Sequence, residues 1–159
     1  MERQFPKNVR QIGNVSDEPK IYMEDYVDTY LNQLRMKAID SPIAALLTGE
    51  IVEQEGQAVV YISGALQIEA VEVAGTEIRM DEEIWKRTQE ERETHFPEQE
   101  AVGWCMIETG HPMGLNRGGG ELHKKLFEKE NTVFVWRDAL ETDEIFYACK
   151  YGELMQMGG

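Results

Sequence analysis

Ile43-Ala-Ala-Leu-Leu-Thr-Gly49 and Ala101-Val-Gly-Trp-Cys-Met-Ile107 decide the architecture of this chain. Each is an apolar run of strand length with a glycine in it, and each reads as a buried strand. Residues 50–53 extend the first, and Glu55-Gly56 supplies a turn into Ala58-Val-Val-Tyr-Ile-Ser-Gly64, rich in β-branched and aromatic residues. Ile68 to Val73 alternates imperfectly with Glu69 and Glu72 as a further strand, completing a meander. Thr132-Val-Phe-Val-Trp136 and Ile145-Phe-Tyr-Ala-Cys149 give two more strands.

Helices interleave with these runs. Met23, Val27, Tyr30, Leu31 and Leu34 recur at spacings of three and four, which predicts a helix over 21–38, ending before Asp40-Ser41-Pro42. Asp81 can cap a second helix, whose thin stripe of Ile84, Trp85 and Thr88 predicts a surface position. Leu122, Leu126 and Phe127 predict a short third one. The order implies an α/β (α+β) domain, a single central mixed β-sheet with about three flanking helices. Residues 1–20 read as an N-terminal arm that lies on the surface or is loose, 21–151 as the domain, and 152–159 as a tail without an element, resembling a cut linker. Trp104 and Trp136 are expected in the core, with Trp85 more exposed.

The chain has 159 residues, enough for one domain or a domain plus a tail. With 16 basic against 30 acidic residues it carries a net charge of -14, which repels phosphate backbones and argues against nucleic-acid binding. No apolar run approaches the roughly 18–20 residues of a membrane span and no signal peptide opens the chain, so a cytoplasmic location is expected. Cys105 and Cys149 sit in apolar runs without CxxC spacing and read as buried thiols.

Few residues offer chemistry. Gly118-Gly119-Gly120 precedes a helix, but neither GxxxxGK[ST] nor GxGxxG is present. The stretch 108–120 holds five glycines and a proline, and is expected to be a long, mobile loop. His95, His111 and His123 form no HExxH or HxH pattern. Glu108, His111 and His123 are weak candidates for one zinc site, and Asp138, Glu141, Asp143 and Glu144 for a hairpin loop that holds calcium weakly. No GxSxG or SxxK occurs, so no catalytic residue, metal or cofactor is assigned.

Two stretches, Pro42-Ile-Ala-Ala-Leu-Leu-Thr-Gly49 and Val102-Gly-Trp-Cys-Met-Ile-Glu-Thr-Gly-His-Pro112, carry a resemblance to the MPN (JAB/Mov34/PAD-1-like) domain, over about residues 21–150. The resemblance implies an MPN/cytidine-deaminase-like fold. The family's glutamate then falls on Pro42, its first histidine on Met106 and its second on Glu108, while His111-Pro112 recovers the H-P pair after an insertion. Its later serine and aspartate fall in 116–120, where neither occurs. Catalytic members bind zinc through two histidines and an aspartate, with the glutamate as general base. What the resemblance implies is a degenerate, non-catalytic member that serves as a scaffold and protein-interaction domain. A fainter resemblance, on the Gly-Trp strand, Gly114-Leu-Asn116 and the C-terminus, is to the N-terminal region of bacterial LysM-containing proteins. It implies part of a larger cell-envelope or sporulation protein, on the cytosolic side of a membrane segment beyond residue 159. A protein partner or homodimer is expected. The rival expectation is a metal-dependent peptidase or isopeptidase with a rearranged site of Glu108, His111 and His123. A small-ligand or anion pocket in the 108–120 loop is a third.

Overall fold

The computed structural model describes residues 9–12, 19–39, 41–68, 72–74, 77–108, 122–123, 125–127, 129–140, 144–151 and 153–157. Ten strands, β1 (Val9–Ile12), β2 (Lys20–Glu24), β3 (Ile43–Gln54), β4 (Gln57–Ile68), β5 (Glu72–Ala74), β6 (Glu77–Arg79), β7 (Glu100–Glu108), β8 (Val133–Asp138), β9 (Glu144–Lys150) and β10 (Glu153–Gln156), accompany two helices, α1 (Asp25–Lys37) and α2 (Glu82–His95). Eight of the strands form one sheet in the order β1-β2-β4-β3-β7-β8-β9-β10, and among the described residues β5 pairs only with β6. The β2–β4 and β7–β8 pairs are parallel and the other five antiparallel, so the mixed α/β sheet expected from the runs is present.

The two deciding runs lie side by side at the centre. β3 and β7 pair antiparallel, Leu46 opposite Trp104 and Ala44 opposite Met106. Alternate residues then feed two cores. One face carries Ala45, Leu47, Ile62, Cys105, Val135 and Ala148 under Val27, Leu31 and Leu34 of α1. The other carries Leu46, Trp104, Met106, Phe134, Trp136 and Tyr147 under Leu122, Phe127 and the half-buried Ile84 and Trp85 of α2. Trp104 and Trp136 are buried and Trp85 is half-buried, the order the sequence predicts.

β3 and β4 are joined by a two-residue turn in which Glu55 (φ 52) and Gly56 (φ 79) both adopt left-handed backbone, the geometry that matches strand twist. Farther along, β7 slips by one residue against β3 at Leu47–Thr48 and β4 does so at Thr48–Gly49, leaving Val102 of β7 and Ser63 of β4 without a register partner on β3. Gly49 is required there, because a Cβ on it would stand 1.7 Å from the Tyr61 carbonyl oxygen.

Four local expectations are corrected. Ile21–Glu24 is not helix but the greater part of β2, paired parallel to β4, since Ile21 and Met23 satisfy a period of two as well as the helical spacing to Val27. The arm 1–20 contains strand β1, with Ile12 only 5% exposed. The tail 152–159 contains strand β10. Ile68–Val73 is not one strand: β4 ends at Ile68 and the short β5 begins at Glu72. Of about three expected helices, two are present among the described residues; where the third was expected, residues 122–123 and 125–126 have helical backbone, and Phe127 N–H donates to the His123 carbonyl at 2.8 Å. Among the described residues no helix is long and apolar enough to cross a membrane.

α1 is fastened by charge. Arg137 is 5% exposed and lies on the same face of β8 as Val133 and Val135. Its guanidinium donates to Asp28 Oδ1 (2.5 Å) and Asn32 Oδ1 (3.2 Å) of α1, and its Nε lies 2.9 Å from Glu144 Oε2 of β9. A buried cation met by two carboxylates and an amide has its charge compensated while it ties the helix to the sheet. Asp81 caps α2 as expected, accepting from the Glu83 amide at 2.8 Å.

Candidate functional site

The residues singled out by the sequence gather, in part, at one end of the sheet. Pro42 precedes β3, and Ile43 pairs with Ile107, so Pro42 stands beside the level of Glu108. One residue along, Ala44 faces Met106. Glu108 is also the register partner of Asp138 on the parallel strand β8, and its carbonyl accepts the Ala139 amide at 2.9 Å. Pro42, Met106, Glu108 and Asp138 thus lie within three neighbouring strands at the end where the 109–121 segment leaves β7. Met106 is fully buried and packs in the apolar core of that face, while Glu108 is 3% exposed. His111, the loop 109–120 with its glycine run, Glu141 and Asp143 lie outside the described residues. Among the described residues no group of three or more His, Cys, Asp or Glu side chains is placed to hold a metal ion.

His123 occupies a different environment from the one expected of a zinc-ligand candidate. It is completely buried, stacked on Phe127 with ring centroids 5.0 Å apart. Trp104 Nε1–H donates to His123 Nδ1 at 3.1 Å, which fixes the proton of the neutral ring on Nε2. That nitrogen then donates to Thr132 Oγ1 at 2.9 Å, and the Thr132 hydroxyl donates to the Lys129 carbonyl at 2.9 Å. Each donor in this chain meets one acceptor, so both ring nitrogens are engaged and neither lone pair is left to a zinc ion. The rearranged zinc site expected from Glu108, His111 and His123 would have to break this chain to recruit its third ligand.

Burial lowers the His123 pKa from 6.5 to about 4, because a charged imidazolium would lose its hydration. The unfolded chain therefore binds more protons than the folded one between pH 4 and 6.5. The neutral ring's contribution is complete above pH 6.5 and is lost as pH falls toward 4. Over that window it amounts to about 3 kcal/mol. In urea titrations His123→Phe is expected to be less stable than the wild type at pH 7.5, because Trp104 loses its acceptor, with the gap shrinking by pH 4.5. A gap of constant size across that range would show that the histidine does not titrate with folding.

Neither cysteine is a nucleophile candidate. Cys105 and Cys149 are both buried thiols outside any disulfide, as expected, and the Cys105 thiol is pushed up to about 12 by burial, the nearby Arg137 offsetting part of the rise.

The bulge at Gly49 borders an open cleft of about 420 Å³, lined by residues 49–52, Arg92 and the 97–100 segment. Thr48 Oγ1 donates to Gln99 Oε1 at 2.7 Å, and Arg92 donates to the Gln99 carbonyl at 2.5 Å. The Glu100 carboxylate accepts from the Ile51 amide (3.2 Å) and from Lys129 Nζ (3.1 Å). The Thr48 and Arg92 hydrogen bonds to Gln99 pin the end of α2 to the sheet.

The fold defines the class: a mixed α/β domain built on one eight-stranded sheet with a helix packed on each face. Among solved structures the chain is similar to the solution structure of protein DSY2949 from Desulfitobacterium hafniense, with a TM-score of 0.59 and 8% identity over 86% of this chain and 88% of that one. No family model matches the chain, and no curated protein matches it significantly.

Proposed function

We propose that this chain is a non-catalytic, MPN-like domain that works by protein–protein contact, as a scaffold within a larger bacterial cell-envelope or sporulation protein. The observation that carries the reading is the chemistry of the sheet end where β3 and β7 meet. On the MPN alignment the general base is Pro42, which has no proton to exchange, and the first zinc ligand is Met106, sealed in the apolar core. A thioether is a poor zinc ligand beside imidazole, and a buried one cannot reach a metal that must also hold water. Of the two histidines in the rival site, His123 is committed to Trp104 and Thr132. Exposed apolar side chains are present for contact: Met36 is 74% and Leu140 67% exposed.

Metal content tests the reading. Protein purified without chelators or metal-affinity resin is expected to contain no stoichiometric zinc by elemental analysis. Zinc added at about tens of micromolar, well above the Kd of a hydrolytic zinc site, should leave the melting temperature of wild type and His111→Ala alike. One zinc per chain, or a zinc-dependent rise of several degrees that vanishes in the variant, would overturn the scaffold reading in favour of a rearranged hydrolytic site.

A further inference from the structure

β10 closes one side of the eight-stranded sheet, and among the described residues no strand pairs with its outer edge. Its ladder with β9 fixes which backbone groups face outward. Met157 N–H donates to the Phe146 carbonyl at 2.8 Å, so residue 157 is directed at β9. In an antiparallel ladder the hydrogen-bonded positions alternate, which directs Met155 and Glu153 at β9 as well and leaves Leu154 and Gln156 with backbone groups aimed out of the sheet. Two of the six large apolar side chains exposed among the described residues, Tyr151 at 90% and Met155 at 52%, sit on this hairpin. Tyr151 occupies its turn with left-handed backbone (φ 56), a conformation an aromatic residue adopts only against steric resistance.

We propose that β10 pairs antiparallel with β10 of a second copy of this chain, about a two-fold axis that passes between the two Met155 residues. The register follows from the geometry. Outward-facing residues must meet outward-facing residues, so Leu154 pairs with Gln156 of the other copy and the reverse, making four backbone hydrogen bonds within the strand. Met155 then faces Met155 across a non-hydrogen-bonded position, where side chains approach most closely. Side-chain chemistry agrees. In a chain of net charge -14 a self-contact must keep carboxylates apart, and this register sets Glu153 opposite Met157, never opposite Glu153. Shifting by two residues in one direction stacks Leu154 on itself and leaves Gln156 beyond the strand; the opposite shift centres on Gln156 and leaves Leu154 beyond it. The result is a continuous sixteen-stranded sheet, twice the eight strands of one copy, with a self-complementary interface. The proposal rests on the reading of the chain as an interaction domain and names its partner.

Light scattering and sedimentation at about 10 to 500 μM, the range in which a short edge-strand contact operates, should show a reversible dimer of the 18.3 kDa chain. Met155→Glu, which sets two carboxylates against each other on the axis, should raise the dissociation constant by about tenfold or more with the melting curve unchanged. Mild oxidation of Met155→Cys should yield a disulfide dimer, because non-hydrogen-bonded partners hold their Cα atoms about 4.5 Å apart. Gln156→Cys, displaced from the axis, should yield much less. A monomer throughout the range overturns the proposal while leaving the scaffold reading to its zinc test. A dimer that survives Met155→Glu, or that cross-links equally at both positions, overturns it too.

Discussion

Trp104→Ala is expected to destabilise the fold by about 5 kcal/mol, most of what a domain of this size holds in reserve. Trp104 has no exposed surface, stacks on Phe134 with ring centroids 4.6 Å apart, and sits at the centre of the sheet where β3, β7 and β8 adjoin. Truncation leaves a cavity that a strand interior cannot collapse to fill, which alone accounts for about 3–5 kcal/mol. It also strips His123 Nδ1 of its donor, orphaning a buried acceptor at a further cost of about 1 kcal/mol or more. Trp104→Phe separates the two contributions, because it refills most of the volume while still leaving the acceptor bare; a loss of about 2 kcal/mol is expected there. Urea unfolding followed by far-ultraviolet circular dichroism measures both. A loss below about 1 kcal/mol for the alanine variant would place Trp104 at the surface and refute the arrangement of β7.

The same position shows how far the sequence carries. Trp104 belongs to a long apolar run, and such runs were legible: β3, β7, β8 and β9 each lie within two residues of an expected strand. The edges were not legible, because β1 reads Val-Arg-Gln-Ile and β10 reads Glu-Leu-Met-Gln, four residues each with one side unpaired among the described residues, too short for a period of two to stand out. At Ile21–Val27 the pattern was ambiguous in itself, since a strand followed directly by a helix places its apolar residues at spacings of two and four in succession. Glu24 adds to the ambiguity by opening α1 without a side-chain cap. Polar burial was the hardest to read. Arg137 follows Val133 and Val135 at even spacing, which marks it as a charge on an apolar face, yet two of its three partners, Asp28 and Asn32, lie more than a hundred residues away along the chain in α1. Likewise the pairing of His123 with Trp104 depends on how the 122–127 stretch returns across the sheet, a tertiary choice that no local spacing encodes. At the sheet end, only the register of β3 on β7 puts Pro42 beside Glu108.

Gly103→Ala is expected to be the most damaging glycine-to-alanine change among the described residues outside the bulge, lowering stability by about 3 kcal/mol or more. A Cβ on Gly103 would lie 2.1 Å from the Val133 carbonyl oxygen and 2.6 Å from Val133 Cγ2. Gly103 and Val133 are register partners where the parallel β7–β8 pair begins, so the obstacle is the neighbouring strand itself. To restore a normal contact the two strands must part by about 1 Å, enough to weaken the parallel ladder that follows. That ladder positions Trp104 against Phe134 and Glu108 against Asp138, so the core stack and the sheet end would both be disturbed. The alternative, that the Val133 side chain alone is in the way, predicts a different outcome in a double variant. Were Cγ2 the obstacle, Val133→Ala would make room and Gly103→Ala would then cost little on top of it. Because the nearest atom is a backbone oxygen that no substitution removes, Gly103→Ala should cost nearly as much in the Val133→Ala background as in the wild type. Double-mutant unfolding free energies decide between them, and a recovery of more than about 1 kcal/mol in the double variant would assign the constraint to the side chain instead of to strand spacing.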